Sequence, residues 1–416
     1  MVSFFNKNIR LLLLMPLAIL ILNFGVRAQG IQFQEEDIDL LVAKAKKEGK
    51  LVFVEIYLNG CPHCEALAPV LEEKKAGDFF NPKFVSAKYE ANASLSKALQ
   101  EKKKLHYPEF PLLFFFNADG TLIHQATPSD QPTRPEFIEE VLRHANDALS
   151  PATRTSSYAA RYQQGDRNLD FLINYAKYTK TTRDTLQSTV LADEFGRTFT
   201  KPTDLENPYG FYIISRFISD FNNPMAQYFF QHLDTYRSQH GARETQQEGE
   251  SILFQSLYGK NSDALLSSEV VAMRKAMESL GVAPNVAAMR TILKELEAYF
   301  REKNTTAATA RFDEYQADNF LRTTDYAYIL RFFNEKAPDN SYAEKLVAWT
   351  DKALKTVRPD EVNKPEVAEL HREQSEAYLK LGKKVEGKAA AEKALTVAKT
   401  AKEKTEVYEK QVAKFK

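Results

Sequence analysis

An apolar strand that runs directly into a cysteine-bearing helix constrains this chain more than any other feature of its sequence. Residues 51–57, Leu-Val-Phe-Val-Glu-Ile-Tyr, form an almost continuous apolar run, which is typical of a strand covered on both faces. Asn59-Gly60 breaks the strand, and Cys61-Pro62-His63-Cys64 follows. Pro62 suits the first turn of a helix, because its missing N–H would be unpaired there anyway. The sequence therefore predicts a strand, a turn and a helix that begins near Cys61.

The position of Cys61 at a helix N-terminus favours redox chemistry. Unpaired backbone N–H groups and the helix macrodipole favour negative charge at that end, and the thiolate is the attacking species in disulfide exchange. Cys64 lies on the same helical face and can close the short ring that resolves a mixed disulfide. We therefore predict that Cys61 attacks and Cys64 resolves. His63, when protonated, would stabilise the reduced pair and make the disulfide more oxidising; the alternative is a solvated histidine without consequence.

A metal site is the main alternative for the cysteine pair, and it would need about four ligands. His106, His124 and His144 have no ligand spacing to the two cysteines. The sequence also contains no glycine-rich phosphate loop. We therefore predict no bound metal and no cofactor.

Length, charge and the N-terminus restrict the class of protein. The chain has 416 residues, which favours two or three domains. Its 56 basic and 56 acidic residues balance without a long block of one sign, so we expect no nucleic-acid partner. Residues 1–28 read as a signal peptide, in which Lys7 and Arg10 precede an apolar core at residues 11–24. That core falls short of the roughly 20 residues of a membrane span; an uncleaved anchor is the alternative.

Export makes the cysteine count informative. Cys61 and Cys64 are the only two cysteines, so the chain cannot use other internal disulfides for stability, and the pair has another purpose. We expect a periplasmic or secreted protein with no membrane span after cleavage of the signal.

Residues 31–148 alternate between helical and strand patterns. The order is helix, strand, helix, strand, helix, strand, strand, helix, with a hairpin turn signal at Asn117–Gly120. Parallel strands followed by a hairpin predict a mixed sheet with helices on both faces. The predicted elements are helix 35–50, strand 51–57, helix 61–75, strand 83–89, helix 93–104, strand 112–116, strand 121–125 and a helix from Pro135 to His144.

This segment resembles the thioredoxin family, and the resemblance extends beyond the cysteine pair. Pro69, eight residues after Cys61, matches the proline that kinks the active-site helix of that family. Phe110-Pro111 before the strand 112–116 resembles its cis-proline loop, although Pro108 is a competing site. Glu55 and Lys88 match its buried acid and that acid's lysine partner.

The resemblance implies roles for these residues and also shows departures. It implies that Pro111, with Phe110 and Pro62 beside it, docks an extended substrate. Glu55 would relay the proton of the resolving cysteine, or only form an ion pair with Lys88. Gly60 replaces the tryptophan that usually precedes the first cysteine. The Pro-His pair resembles periplasmic disulfide donors of the DsbA type, but their helical insertion is missing.

The composition changes after residue 148. Residues 149–157 read as a linker, and residues 158–416 carry helical stripes with almost no strand signals. Near the end, Asp351-Lys-Ala-Leu354 is echoed 41 residues later by Glu392-Lys-Ala-Leu395. This pattern resembles tetratricopeptide repeats with a degenerate register. We therefore predict an α/β thioredoxin-like domain followed by an all-α domain of helical hairpins that stack as a solenoid.

These observations lead to two hypotheses of different classes. The first is an exported thiol–disulfide oxidoreductase that exchanges disulfides with protein substrates and a redox partner protein, while the helical domain binds protein. The second is a redox-sensing scaffold whose helical domain holds a partner and whose dithiol reports the redox state.

Overall fold

The computed structural model describes residues 30–416, so the predicted signal peptide lies outside the described residues. The chain divides into two compact units between Glu194 and Phe195. Within residues 30–416, none of the helices combines the length and apolar character needed to cross a membrane.

The first unit contains a five-stranded mixed sheet with the strand order β1-β3-β2-β4-β5. β2 pairs in parallel with β3, whereas β4 is antiparallel to both β2 and β5. The α/β prediction and the predicted hairpin are therefore confirmed. The elements are β1 (Phe33–Gln34), α1 (Ile38–Glu48), β2 (Leu51–Tyr57), α2 (Pro62–Leu71), α3 (Lys74–Phe80), β3 (Phe84–Glu90), α4 (Ser94–Lys103), β4 (Leu112–Phe116), β5 (Leu122–Ala126) and α5 (Arg134–Leu149).

Alternation along the strands separates two cores on the two faces of the sheet. Phe53 and Phe115 pack with Leu67 of α2 and Val141 of α5 on one face. Val52, Val54 and Ile56 of β2 pack on the other face with residues of α1 and α4. Glu55 follows Phe53 by two positions, so it lies on the same face of the sheet as α2. This placement brings a carboxyl group beneath the cysteine helix.

The sequence predicted one helix over residues 61–75, but the structure has two. α2 ends at Leu71, and α3 begins at Lys74. The backbone N–H of Ile31 donates to the carbonyl oxygen of Leu71 at 2.9 Å, so a distant part of the chain satisfies the end of α2. The short strand β1, which begins two residues after Ile31, was also not predicted, because two residues carry no periodic pattern.

The segment predicted as a linker is attached to the sheet. Thr155 is 1% exposed, its N–H donates to Nδ1 of His124, and its hydroxyl accepts from the N–H of Gln125. The first unit continues through the helices α6 (Tyr158–Gln163) and α7 (Leu169–Thr182) into α8 (Thr185–Thr198). The domain limits 31–148 and 158–416 themselves remain predictions.

The second unit is helical throughout, which confirms the predicted all-α class. Its helices are α9 (Pro202–Leu205), α10 (Pro208–Phe217), α11 (Pro224–Gln231), α12 (Leu233–His240), α13 (Ala242–Tyr258), α14 (Ser267–Ser279), α15 (Pro284–Arg301), α16 (Thr305–Asp318), α17 (Thr323–Lys336), α18 (Ala343–Thr356), α19 (Pro365–Lys380), α20 (Lys384–Thr400) and α21 (Glu406–Ala413).

An aromatic cluster forms the centre of the core over α15–α19. The Phe312 ring lies edge-on to Trp349 at a centroid distance of 4.7 Å, and Phe333 lies 5.1 Å from the same ring. The indole N–H of Trp349 donates to Asp313 at 2.7 Å. α19 and α20 then form a hairpin that turns at Gly382, whose φ is +72°.

Candidate active site at the Cys61–Cys64 helix

Cys61 is the N-cap of α2, as the sequence predicted. Its sulfur accepts a hydrogen bond from the backbone N–H of Cys64 at 3.4 Å, so the helix end presents a donor to this sulfur. Gly60 precedes it with a φ of +75°, a backbone conformation that glycine adopts without strain. Gly60, which stands where thioredoxins usually have a tryptophan, therefore suits the conformation of this turn.

The two thiols differ sharply in exposure. Both are free within the described residues, Cys61 is partly exposed, and Cys64 is 4% exposed. Burial, together with the neighbouring Cys61 sulfur, raises the pKa of the Cys64 thiol to about 12. A substrate sulfur can therefore approach Cys61 directly, whereas Cys64 lies behind it in protonated form at neutral pH.

The loop that contains Pro111 faces the exposed thiol. The Phe110–Pro111 peptide bond is cis, which confirms the choice of Pro111 over Pro108. The carbonyl oxygen of Phe110 lies 3.8 Å from the Cys61 sulfur. This loop therefore offers backbone groups directly beside the Cys61 sulfur.

Glu55 is completely buried beside the cysteine helix, and Lys88 is its cross-strand neighbour on β3. The Lys88 ammonium lies 3.2 Å from Oε2 of Glu55, but neither carboxyl oxygen has a hydrogen bond of good geometry from any described residue. Burial raises the pKa of Glu55 above its ordinary value, and the Lys88 charge opposes this shift. The charge of Glu55 is in turn one of the causes that raise the pKa of the Cys64 thiol, so the carboxyl group and the thiol interact electrostatically.

His63 has a partner that the sequence analysis missed. Its Nδ1 lies 2.6 Å from Oδ2 of Asp130, in the loop after β5, and both side chains are exposed. The two residues are 67 positions apart, and no periodic signal marks residues 127–133. Only the fold brings this carboxylate to the cysteine helix.

The other residues of the predicted site have the following places. Pro62 is the first residue of α2 and is exposed, while Pro69 lies inside the same helix. Phe110 is partly buried, and its ring lies 6.5 Å from that of Tyr107. The structure thus brings Cys61, Cys64 and Phe110-Pro111 together and places Glu55 with Lys88 on the sheet below.

No protein-family model matches the chain. A protein disulfide isomerase-like protein of rice, Oryza sativa subsp. japonica, is 28% identical over 109 residues, which are 26% of this chain and 18% of that protein. The chain therefore spans less than a fifth of the length of this curated relative. A solution structure described as a disulphide-isomerase, from Bacteroides thetaiotaomicron, is 26% identical with a TM-score of 0.24 and covers 29% of this chain and 97% of its own.

The α/β unit has a thioredoxin-like fold. Its mixed sheet, its cysteine helix and the cis-proline loop beside Cys61 are the features that the resemblance predicted. The helices that follow form the all-α part of the protein.

A second cluster of possible ligands lies elsewhere in the thioredoxin-like domain. His124, His144 and Asp147 each have one ligand atom within 4.8 Å of the others. Nδ1 of the buried His124 accepts the N–H of Thr155, so a neutral imidazole carries its proton on Nε2 and has no lone pair left for a metal. Burial also lowers the pKa of His124 to about 3. This cluster therefore fits a neutral, buried histidine better than a metal ligand.

Proposed function

We propose that this protein is an exported thiol–disulfide oxidoreductase that acts on protein disulfides, and that it needs no bound cofactor. The observation that carries the proposal is the arrangement of the two thiols. Cys61 is accessible at a helix N-terminus, and Cys64 is buried next to it with a pKa raised to about 12. The name of the rice relative, a disulfide isomerase-like protein, supports the same chemistry.

The reaction has two exchange steps. The Cys61 thiolate attacks one sulfur of a substrate disulfide, so that a Cys61–substrate disulfide forms and the other substrate sulfur leaves as a thiolate. Cys64 then loses its proton and attacks the Cys61 sulfur, which forms the Cys61–Cys64 disulfide and releases the second substrate thiolate. Two electrons pass from the dithiol to the substrate. The reverse sequence oxidises a substrate dithiol.

Neighbouring groups assist each step. The Phe110-Pro111 backbone docks the substrate chain beside Cys61, and an extended peptide can pair with such exposed backbone groups. Glu55 in its ionised form accepts the Cys64 proton, and burial, which raises the pKa of Glu55 above its ordinary value, makes it a stronger base than an exposed carboxylate. His63 and Pro62 form the exposed surface between the two cysteines. The helical part binds protein, and a separate redox partner protein restores the dithiol or the disulfide.

Trapping of mixed disulfides tests this proposal on the full chain. Cys64→Ser removes the resolving thiol, so Cys61 should remain linked to several different protein substrates, which non-reducing electrophoresis and mass spectrometry would identify. Cys61→Ser is the matched control and should trap almost none. Equal trapping by both variants would refute the assigned roles, and a single stoichiometric partner for Cys64→Ser would favour the redox-sensing scaffold.

A further inference from the structure

Helix α7 holds the loop that leads to the cis proline. The N–H of His106 donates to the carbonyl oxygen of Thr181 at 2.8 Å, at the C-terminal end of this helix. The Arg183 guanidinium donates to the carbonyl oxygen of Leu105 at 3.4 Å. Both contacts lie within the first unit. The start of the loop is thus held by a helix that follows the five-stranded sheet and helices α1 to α5 in the chain.

Glu109 anchors the other end of this loop by its side chain. Its Oε1 accepts a hydrogen bond from the Thr127 hydroxyl at 2.7 Å, just after β5. The Lys177 ammonium of α7 lies 3.1 Å from the same oxygen. Only 17% of the Glu109 side chain and 19% of the Lys177 side chain are exposed. A charge pair that is largely removed from solvent is less screened than a surface pair and favours one geometry more strongly.

Glu109 directly precedes Phe110, the residue whose carbonyl oxygen lies 3.8 Å from the Cys61 sulfur. A movement of the Glu109 backbone therefore moves the groups beside the attacking thiol. Docking of a peptide costs less free energy when the receiving backbone is already ordered, so a loosened loop weakens peptide binding.

We propose that α7 supports the substrate-binding loop and that Lys177, acting through Glu109, is a positioning residue that fixes the cis-proline loop for protein and peptide disulfides. This inference rests on the proposed function and adds to it a determinant of substrate affinity. Lys177 touches no reacting atom in this account. A change at Lys177 should therefore alter the affinity only for substrates that bind along the cis-proline loop.

The two kinds of substrate separate positioning from chemistry. A peptide that contains one disulfide extends along the loop, whereas hydroxyethyl disulfide is too small to need it. In Lys177→Met, the KM of the peptide should rise roughly five- to tenfold, because Glu109 loses a charged partner. The kcat of the peptide and the rate with hydroxyethyl disulfide should each change by less than about twofold. Lys177→Arg keeps the charge and should restore most of the affinity.

Lys75→Met is the matched control. Lys75 forms an ion pair with Glu139 between α3 and α5 of the same unit, and both side chains are exposed. Its loss should leave the peptide KM unchanged. The double reversal Lys177→Glu with Glu109→Lys re-forms the pair with opposite polarity and should recover affinity that each single reversal loses. If Lys177→Met does not fold, Glu109→Gln replaces it, with the same expected rise in KM.

The outcomes distinguish this inference from the function on which it rests. An unchanged peptide KM in folded Lys177→Met, or an equal loss of rate with both substrates, would overturn the positioning role while the oxidoreductase proposal stands. A wild-type protein that reacts with neither disulfide would overturn the proposed function, and the inference with it.

Discussion

At the scale of single residues, the proposed proton relay depends on the burial of Glu55 and Cys64. Burial raises the pKa of both groups, that of Cys64 to about 12. Burial thus disfavours the ionised form of each group relative to an exposed carboxyl or thiol group. Lys88, whose ammonium lies 3.2 Å from Glu55, opposes the rise in the pKa of the carboxyl group and favours its ionised form. This balance suits a group that has to take up and release one proton.

Glu55→Gln removes the base without removing volume. We expect the release of the mixed disulfide to slow roughly 10- to 100-fold between pH 6 and 8. In the wild-type protein the release rate rises with pH as Glu55 loses its proton. In the variant it rises only through ionisation of Cys64 itself, whose pKa is about 12, so the profile moves to higher pH. Single-turnover release of a fluorescent peptide measures both profiles.

Glu65→Gln is the control for Glu55→Gln, because it removes one exposed carboxylate from the first turn of the same helix. It should leave the pH profile nearly unchanged. A wild-type profile in Glu55→Gln would mean that Glu55 serves only as an ion-pair partner of Lys88.

The sequence predicted residues that carry a local pattern or a family resemblance. Cys61 at the helix end follows from the local pattern of residues 51–64, whereas the Glu55–Lys88 pair and the cis bond before Pro111 were predicted from the resemblance to the thioredoxin family. Asp130, which pairs with His63, lies in a loop without a periodic pattern, and Lys177, which pairs with Glu109, lies far along the chain on a helix whose stripe does not indicate this partner. Such contacts depend on the tertiary fold and cannot be read from local spacing.

At the scale of secondary-structure elements, the helix ends also involve tertiary contacts that cannot be read from local spacing. α2 ends at Leu71, whose carbonyl oxygen accepts a hydrogen bond from the distant N–H of Ile31. The helical stretch from Pro224 to His240 is divided at His232 into α11 and α12, where the His232 ring stacks 3.8 Å from that of Tyr228. Helical periodicity predicts that these helices exist, but it does not report contacts that end them.

A buried charge network joins three helices of the second unit. Glu295 of α15 is completely buried and accepts from Arg274 of α14 at 3.0 Å and from Thr291 at 2.8 Å. Arg311 of α16, only 8% exposed, donates to the other carboxyl oxygen of Glu295. Removal of one partner from such a network leaves an uncompensated buried charge.

Glu295→Ala should therefore lower the free energy of unfolding of the second unit by about 3–5 kcal/mol. Trp349, the single tryptophan of the chain, is buried in that unit, so its fluorescence during urea unfolding reports on the second unit alone. Glu297→Ala is the control, because Glu297 lies on the same helix but is 38% exposed in its pair with Lys294; it should cost about 0–1 kcal/mol. Equal losses in the two variants would contradict this account of the network.

At the scale of the whole molecule, the chain combines a thioredoxin-like domain with a helical part that contains no cysteine. The only possible internal disulfide is the one between Cys61 and Cys64, so the redox state of the chain is the redox state of this site. The proposed chemistry therefore depends on a difference in reactivity between two neighbouring thiols.

Alkylation followed by peptide mapping measures this difference directly on the reduced full chain. Iodoacetamide at pH 7.5 should modify Cys61 at least roughly tenfold faster than Cys64, because Cys61 is accessible and Cys64 is buried and protonated. Equal modification of the two thiols, or faster modification of Cys64, would contradict the assignment of Cys61 as the attacking thiol and Cys64 as the resolving thiol.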